Sequence, residues 1–129
     1  MKIIQLTLMA WLFSMAFNLY AEKTLNIYIW FGEVPDQVIE QFQKETGIKV
    51  NYTTYDSNET LYAKLKTSKN SGYDIIEPSS YYVPKLIREG LIQKIDPTKL
   101  SHYKNISPSF LHTIYDPKAE YTIPYLWGI

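Results

Sequence analysis

Residues 25–55, LNIYIWFGEVPDQVIEQFQKETGIKVNYTTY, decide the fold because they predict a strand, a helix and a second strand in direct succession. Residues 25–31 form a dense apolar run with β-branched and aromatic side chains, which is typical of a buried strand. Residues 34–46 read as an amphipathic helix that Gly47 ends. Residues 48–55 alternate apolar and polar side chains, so they predict the second strand.

The rest of the chain repeats this alternation of helix and strand. In the first helix, Val38, Ile39 and Phe42 share one face and should face the core. Asp56 and Glu59 have the spacing of a capping box at the start of the second helix. The further predicted elements are a helix with the buried stripe Leu61, Tyr62 and Leu65, a strand at 73–77, a helix from Ser79 or Ser80 to Glu89 with an irregular start at Pro84, and short strands at 91–95 and 120–126.

Strands that alternate with helices predict an α/β fold with a mostly parallel sheet and flanking helices. In such a sheet, ligands bind outside the carboxyl ends of the strands. Aromatic faces attract ammonium groups and carboxylates add charge-assisted hydrogen bonds, so a mixture of the two suits an organic cation. The same rings can grip a sugar, and the carboxylates Glu33 and Glu77 could in principle carry out acid–base hydrolysis. The residues that lie at or just after the predicted strand ends are Trp30, Phe31, Glu33, Tyr55, Asp56, Glu77, Ser79, Ser80, Tyr81 and Tyr82.

The amino-acid composition excludes several classes of function. The 13 basic and 13 acidic side chains give zero formal net charge, which argues against nucleic-acid binding through a basic surface. The chain has no cysteine, so a disulfide, a thiolate nucleophile and a cysteine-ligated zinc site are excluded. The five glycines are isolated and form no phosphate-binding loop, and His102 and His112 lack metal-ligand spacing. We therefore expect no catalytic residue, no cofactor and no metal.

Residues 1–21, MKIIQLTLMAWLFSMAFNLYA, predict a secretory signal peptide. Lys2 supplies the positive start, residues 3–17 are mostly apolar, and the small residue Ala21 precedes a charged pair. The apolar run is shorter than the roughly 20 residues that a membrane span requires. We expect cleavage near Ala21 and an exported mature chain, starting near Glu22, that is not stably inserted in the membrane.

Three segments resemble a known family. They are FQKETGIKVNYTTYDSNETLYAKLKT at 42–67, YDIIEPSSYYVPKLIREGLIQKID at 73–96 and YTIPYLWG at 121–128. These segments closely resemble the spermidine/putrescine-binding periplasmic proteins of ABC importers, and the match runs nearly without gaps from residue 25 to residue 128. The resemblance implies a type II periplasmic-binding-protein fold, in which two α/β lobes close on a ligand and present it to a membrane permease.

The resemblance also implies ligand-binding positions. Trp30 matches a position whose ring lies against the polyamine chain, and Ser79 and Tyr81 match cleft residues of the first lobe. Residues 31–33 (Phe-Gly-Glu) replace a hydroxyl, an acidic and an aromatic residue of the family, which moves the carboxylate by one position. Glu77 stands where the family has an apolar residue. The expected ligand-binding residues are therefore Trp30, Phe31, Glu33, Ser79 and Tyr81.

The resemblance covers only the first part of such a receptor. Family members continue through a second lobe and return to complete the first, so residues 22–129 are expected to form an incomplete N-terminal lobe with the second lobe absent. Three hypotheses stay open: a truncated polyamine-binding component of an importer that is inactive on its own, one piece of a split receptor, or a secreted carbohydrate-binding or hydrolytic module. The first two imply a polyamine ligand, spermidine or putrescine, and an inner-membrane ABC permease as partners.

Overall fold

The structure, a computed structural model, describes residues 23–68 and 72–127. The predicted signal peptide at 1–21 therefore lies outside the described residues. Within the described ranges, every helix is too short or too polar to cross a membrane.

A three-stranded parallel sheet forms the centre of the fold. Strand β1 (Thr24–Trp30) lies between β2 (Lys49–Tyr55) and β3 (Ile75–Ile76), and both neighbours run parallel to it. Trp30 pairs with Tyr55 in the β1–β2 register, so these two strands end side by side. The predicted α/β class and the parallel sheet are confirmed, and the three strand predictions hold to within a few residues at each end.

Helices connect the strands as the pattern predicts. Helix α1 (Asp36–Thr46) joins β1 to β2, and α2 (Asn58–Thr67) leads from β2 toward β3. Gly47 ends α1 in the left-handed region at φ 68°, where its N–H donates to the Gln43 carbonyl at 2.9 Å. Helix α3 (Val83–Arg88) begins only after a 3₁₀ turn, which confirms the irregular start.

The hydrophobic core lies between one face of the sheet and helices α2 and α3. Alternate side chains of a strand point to opposite faces, so Tyr28 and Tyr55 can both face these helices. The predicted buried stripe of α2 is confirmed at Leu61 and Leu65, and Tyr62 lies partly buried against them. The buried residues of this core are Tyr28, Tyr55, Leu61, Leu65 and Leu86.

Helix α1 approaches the other side of the sheet but buries none of its side chains. It is tied to β2 by a hydrogen bond from the Tyr52 hydroxyl to Asp36 at 2.8 Å. Val38, predicted to face the core, remains 53% exposed, and Phe42 is also exposed. A broad groove of about 1390 Å³, largely lined by apolar side chains, separates α1 and the sheet from the segment around residues 110–126.

The predicted start of α2 is wrong by one residue. The helix begins at Asn58, so Ser57 is the capping residue, and its hydroxyl accepts the Thr60 N–H at 3.1 Å. Asp56 instead accepts a hydrogen bond from the Thr60 hydroxyl at 3.2 Å. Glu59 does not complete a capping box, because it accepts from the Tyr82 hydroxyl at 3.3 Å.

The strands predicted at 91–95 and 120–126 are not formed in the described structure. The buried carboxylate of Asp116 accepts the N–H groups of Glu120, Tyr121 and Thr122 at 3.2, 2.8 and 3.0 Å. These donors are consequently unavailable to a neighbouring strand. Burial alone would raise the pKa of Asp116, but these hydrogen bonds hold it below its usual value.

Candidate ligand-binding site

A row of aromatic rings runs from Trp30 and Tyr55, at the carboxyl edge of the sheet, through Tyr28 to Tyr73, which precedes β3. The ring of Trp30 lies 4.9 Å from that of Tyr55, centroid to centroid, at an angle of 52°. Tyr55 meets Tyr28 edge-on at 4.9 Å, and Tyr28 stacks on Tyr73 at 4.7 Å. Edge-on and stacked pairs of this kind are favourable arrangements of ring quadrupoles. Trp30 is therefore held at the end of the central strand with part of its surface still accessible.

Tyr55 fixes the two strand ends relative to each other. Its side chain is buried, and its hydroxyl donates a short hydrogen bond to the backbone carbonyl of Glu77. Burial, together with the nearby negative charges of Glu77 and Glu33, raises the pKa of Tyr55 well above its usual value. Tyr55 accordingly remains a neutral phenol and acts as a structural tie between β2 and the end of β3.

Glu77 is the unusual group at this edge. Its Oε2 atom is buried and has no hydrogen-bond partner among the described residues. Desolvation raises the pKa of Glu77, the charge of Glu33 raises it further, and a backbone hydrogen bond from Trp30 offsets part of this effect. In the described part of the chain, no group of three or more acidic, histidine or cysteine residues is arranged to hold a metal ion. A nearby positive charge or a proton would stabilise this pair of carboxylates.

A turn after β1 brings Glu33 close to Glu77. Gly32 adopts φ 80°, a conformation that is easily reached only without a side chain, and the Glu33 N–H points back to the Trp30 carbonyl at 3.5 Å. The Tyr125 hydroxyl donates to the backbone carbonyl of Glu33 at 3.3 Å. The displaced carboxylate is therefore still near the edge of the sheet, beside Trp30.

Ser79 and Tyr81 are linked through a residue that was not among the predicted site residues. Asn58, only 2% exposed, accepts the Ser79 N–H at 3.0 Å and donates from Nδ2 to the Tyr81 hydroxyl at 2.9 Å. A signal for it exists in the sequence, since positions 58, 61 and 65 lie on one helical face with the buried Leu61 and Leu65. The prediction that residues 56–59 form a capping box assigns Asn58 to the capping turn, so it is not counted on the buried face.

The five predicted ligand-binding residues do not all lie in the same place in the structure. Trp30, Glu33 and Ser79 line the broad groove, and so does Glu77. Tyr81 joins this group through Asn58. Phe31 does not join it, because its side chain is 82% exposed and lines a separate, smaller hollow beside Gly32. The role of all five residues in ligand binding stays a prediction.

Comparison with known proteins gives the class. Residues 32–128 match the family of bacterial extracellular solute-binding proteins, and the chain belongs to this family. The resemblance noted in the sequence is thereby confirmed at the level of the family.

Individual relatives are more specific. The chain is 55% identical over 106 residues to the spermidine/putrescine-binding periplasmic protein of Escherichia coli, covering 82% of this chain and 30% of that protein. It is 46% identical over 109 residues to the spermidine/putrescine-binding periplasmic protein 1 of Haemophilus influenzae, covering 84% of this chain and 30% of the relative. The chain thus spans about 30% of the length of these relatives.

A solved structure shows the same fold. The spermidine/putrescine ABC transporter substrate-binding protein PotD of Streptococcus pneumoniae superimposes with a TM-score of 0.76 at 40% identity. The superposition covers 82% of this chain and 32% of that protein. The predicted periplasmic-binding-protein fold is therefore confirmed for the part of the chain that the superposition covers.

Proposed function

We propose that the chain forms one wall of a polyamine-binding cleft in a periplasmic solute-binding protein that serves an ABC importer. The names of its relatives, which bind spermidine and putrescine, support this assignment. In this proposal, residues 1–21 direct export and are cleaved, and residues 22–129 belong to the N-terminal lobe. An inner-membrane permease receives the loaded receptor.

The observation that carries the proposal is the juxtaposition of Trp30 and Tyr55 with Glu33 and Glu77 at one edge of the sheet. A polyamine alternates ammonium groups with methylene chains. Its methylenes can lie on the ring of Trp30, and a ring face attracts an ammonium group by about 0.5 to 2 kcal/mol. An ammonium group near Glu77 would supply the missing partner of Oε2 and relieve the repulsion from Glu33.

The test is a chimera in which residues 25–127 replace the matching 30% of the Escherichia coli relative, so that the cleft has its second wall. Isothermal titration calorimetry should show saturable binding of spermidine or putrescine with micromolar or tighter affinity, which corresponds to about −8 kcal/mol. Maltose, a neutral sugar, is the control ligand and should give no saturable heat.

Two outcomes would overturn the proposal. One is a folded chimera, with a cooperative melt, that binds neither polyamine. The other is binding of maltose in place of the polyamines, which would favour a carbohydrate-binding module.

A further inference from the structure

The most deeply buried polar side chain in the described part of the chain is an amide. Asn58 begins α2, is 2% exposed, and lies on the same helical face as Leu61. Burying an amide is unfavourable unless its donors and acceptor find partners. Asn58 finds them in Ser79 and Tyr81, the two residues that the family resemblance predicts to line the cleft.

The hydrogen bonds define which way the amide points. The backbone N–H of Ser79 can only donate, so it must meet the oxygen of Asn58, at 3.0 Å. The nitrogen of Asn58 then faces Tyr81 and donates to its hydroxyl oxygen at 2.9 Å. Tyr81 is the acceptor in this bond, which leaves its own hydroxyl hydrogen and its second lone pair for other partners.

Ser79 and Tyr81 both have a hydroxyl group that can still form a hydrogen bond with a ligand. The hydroxyl of Ser79 makes no capping bond at the 3₁₀ turn that follows it. The side chain of Tyr81 is 61% exposed, and its ring contact is an edge-on approach to Tyr82 at 5.7 Å. An exposed tyrosine with a single ring neighbour has many accessible orientations, so the bond to Asn58 is a strong constraint on where its hydroxyl lies.

We propose that Asn58 is a positioning residue that sets Ser79 and Tyr81 in the orientation in which they meet the ligand. It acts from inside the core, without touching the ligand, and it couples the start of α2 to the loop after β3. The identity of the ligand as a polyamine rests on the proposed function, whereas the positioning by Asn58 does not.

The binding test uses the chimera with two substitutions of similar size. Asn58→Leu removes both hydrogen bonds, and spermidine binding should weaken about tenfold. Asn58→Asp keeps the bond from the Ser79 N–H and reverses the second bond, so that the Tyr81 hydroxyl donates to the carboxylate; both partners stay tied, and binding should stay within about threefold of the parent. Equal losses in the two variants, or no loss in Asn58→Leu, would overturn the proposal.

A double-mutant cycle separates positioning from general packing. If Asn58 acts through the hydroxyl of Tyr81, Asn58→Leu should weaken binding clearly less in a Tyr81→Phe background than in the parent. Tyr82→Phe is the matched control, since the Tyr82 hydroxyl bonds to Glu59, and there the effect of Asn58→Leu should be unchanged. Full additivity with Tyr81→Phe contradicts the proposal.

A measurement without ligand keeps the proposal testable if the chimera binds no polyamine. In NMR spectra of the chimera, the side-chain amide resonances of Asn58 should shift on Tyr81→Phe and remain in place on Tyr82→Phe. Unmoved resonances in the Tyr81 variant would overturn the positioning role. Shifted resonances without any polyamine binding would retain that role and overturn the proposed function alone.

Discussion

At the end of the central strand, Trp30 rests its ring on Tyr55, with 4.9 Å between the ring centroids. This contact matters because Tyr55 is itself buried and tied to β3 through its hydroxyl. A ring held in this way loses little freedom when a ligand arrives, which favours binding. The orientation of the Trp30 side chain is therefore fixed by its contact with a buried neighbour.

Trp30→Ala should weaken spermidine binding to the chimera by about tenfold, because a ring contact with a desolvated cation and its methylene chain is lost. Calorimetry measures the loss directly, and the change in tryptophan fluorescence on binding should be much reduced. Ile114→Ala, which removes an exposed apolar side chain that does not line the broad groove, is the control and should leave the affinity unchanged. An unaltered affinity in Trp30→Ala would remove this residue from the site.

Glu77 is a second residue whose environment matters, because the fold places its charged carboxylate where it is partly buried and close to the negative charge of Glu33. Desolvation and the charge of Glu33 raise the pKa of Glu77 above its ordinary 4.5, so the folded chain holds the proton more tightly than the unfolded chain. The stabilisation from this proton is complete below pH 4.5 and is lost as the pH rises through the folded pKa.

Glu77→Gln should therefore stabilise the ligand-free chimera at pH 7, by about 1 kcal/mol, since it removes a charge with an unpartnered buried oxygen. The gain should shrink as the pH falls toward 4.5, where the native carboxyl is protonated. Urea unfolding at several pH values measures this difference. A gain that does not vary with pH would show that Glu77 is not desolvated.

At the scale of the elements, the ends of helices and strands are decided by single hydrogen bonds. Helix α2 begins one residue later than the capping box predicts, because Ser57 accepts the Thr60 N–H and Asn58 turns inward. Similarly, Asp116 takes three backbone N–H groups from the segment predicted as a last strand. Local sequence patterns cannot rank such competing partners, since several side chains satisfy the same rule.

The position of the cap can be tested directly. Ser57→Ala should lower the free energy of unfolding of the chimera by about 1 kcal/mol, because it removes the cap of α2. Asp56→Ala, the matched control, removes only a bond to a side-chain hydroxyl that is exposed, so it should cost clearly less. Urea unfolding decides between them, and the reverse order would restore Asp56 as the cap.

At the scale of the whole molecule, the two sides of the sheet differ. Helices α2 and α3 pack around a buried core on one side, whereas α1 buries none of its own side chains on the other and borders the broad groove. Large apolar side chains remain exposed here, among them Val38, Phe42 and Leu126. Exposed apolar surface of this kind favours association and lowers the cooperativity of folding.

The isolated mature chain, residues 22–129, should therefore bind a hydrophobic dye such as ANS and melt over a broad temperature range. Titration with spermidine should give no saturable heat, because a single wall leaves most of the ligand in water. The chimera should melt sharply and bind little dye. A sharp cooperative melt of the isolated chain, or micromolar polyamine binding to it, would contradict this expectation.

The sequence by itself determined the parallel sheet, the three helices and the edge at which Trp30, Glu33 and Ser79 lie. These features follow from periodicity and from the direction of parallel strands, which are local properties. Tertiary structure decided what depends on distant partners. Asn58 turns inward toward Ser79 and Tyr81. The carboxylate of Asp116 binds the N–H groups of the segment that was predicted to form the last strand. A buried polar group takes whichever partner the fold brings to it, and that choice is made only when the elements are packed together.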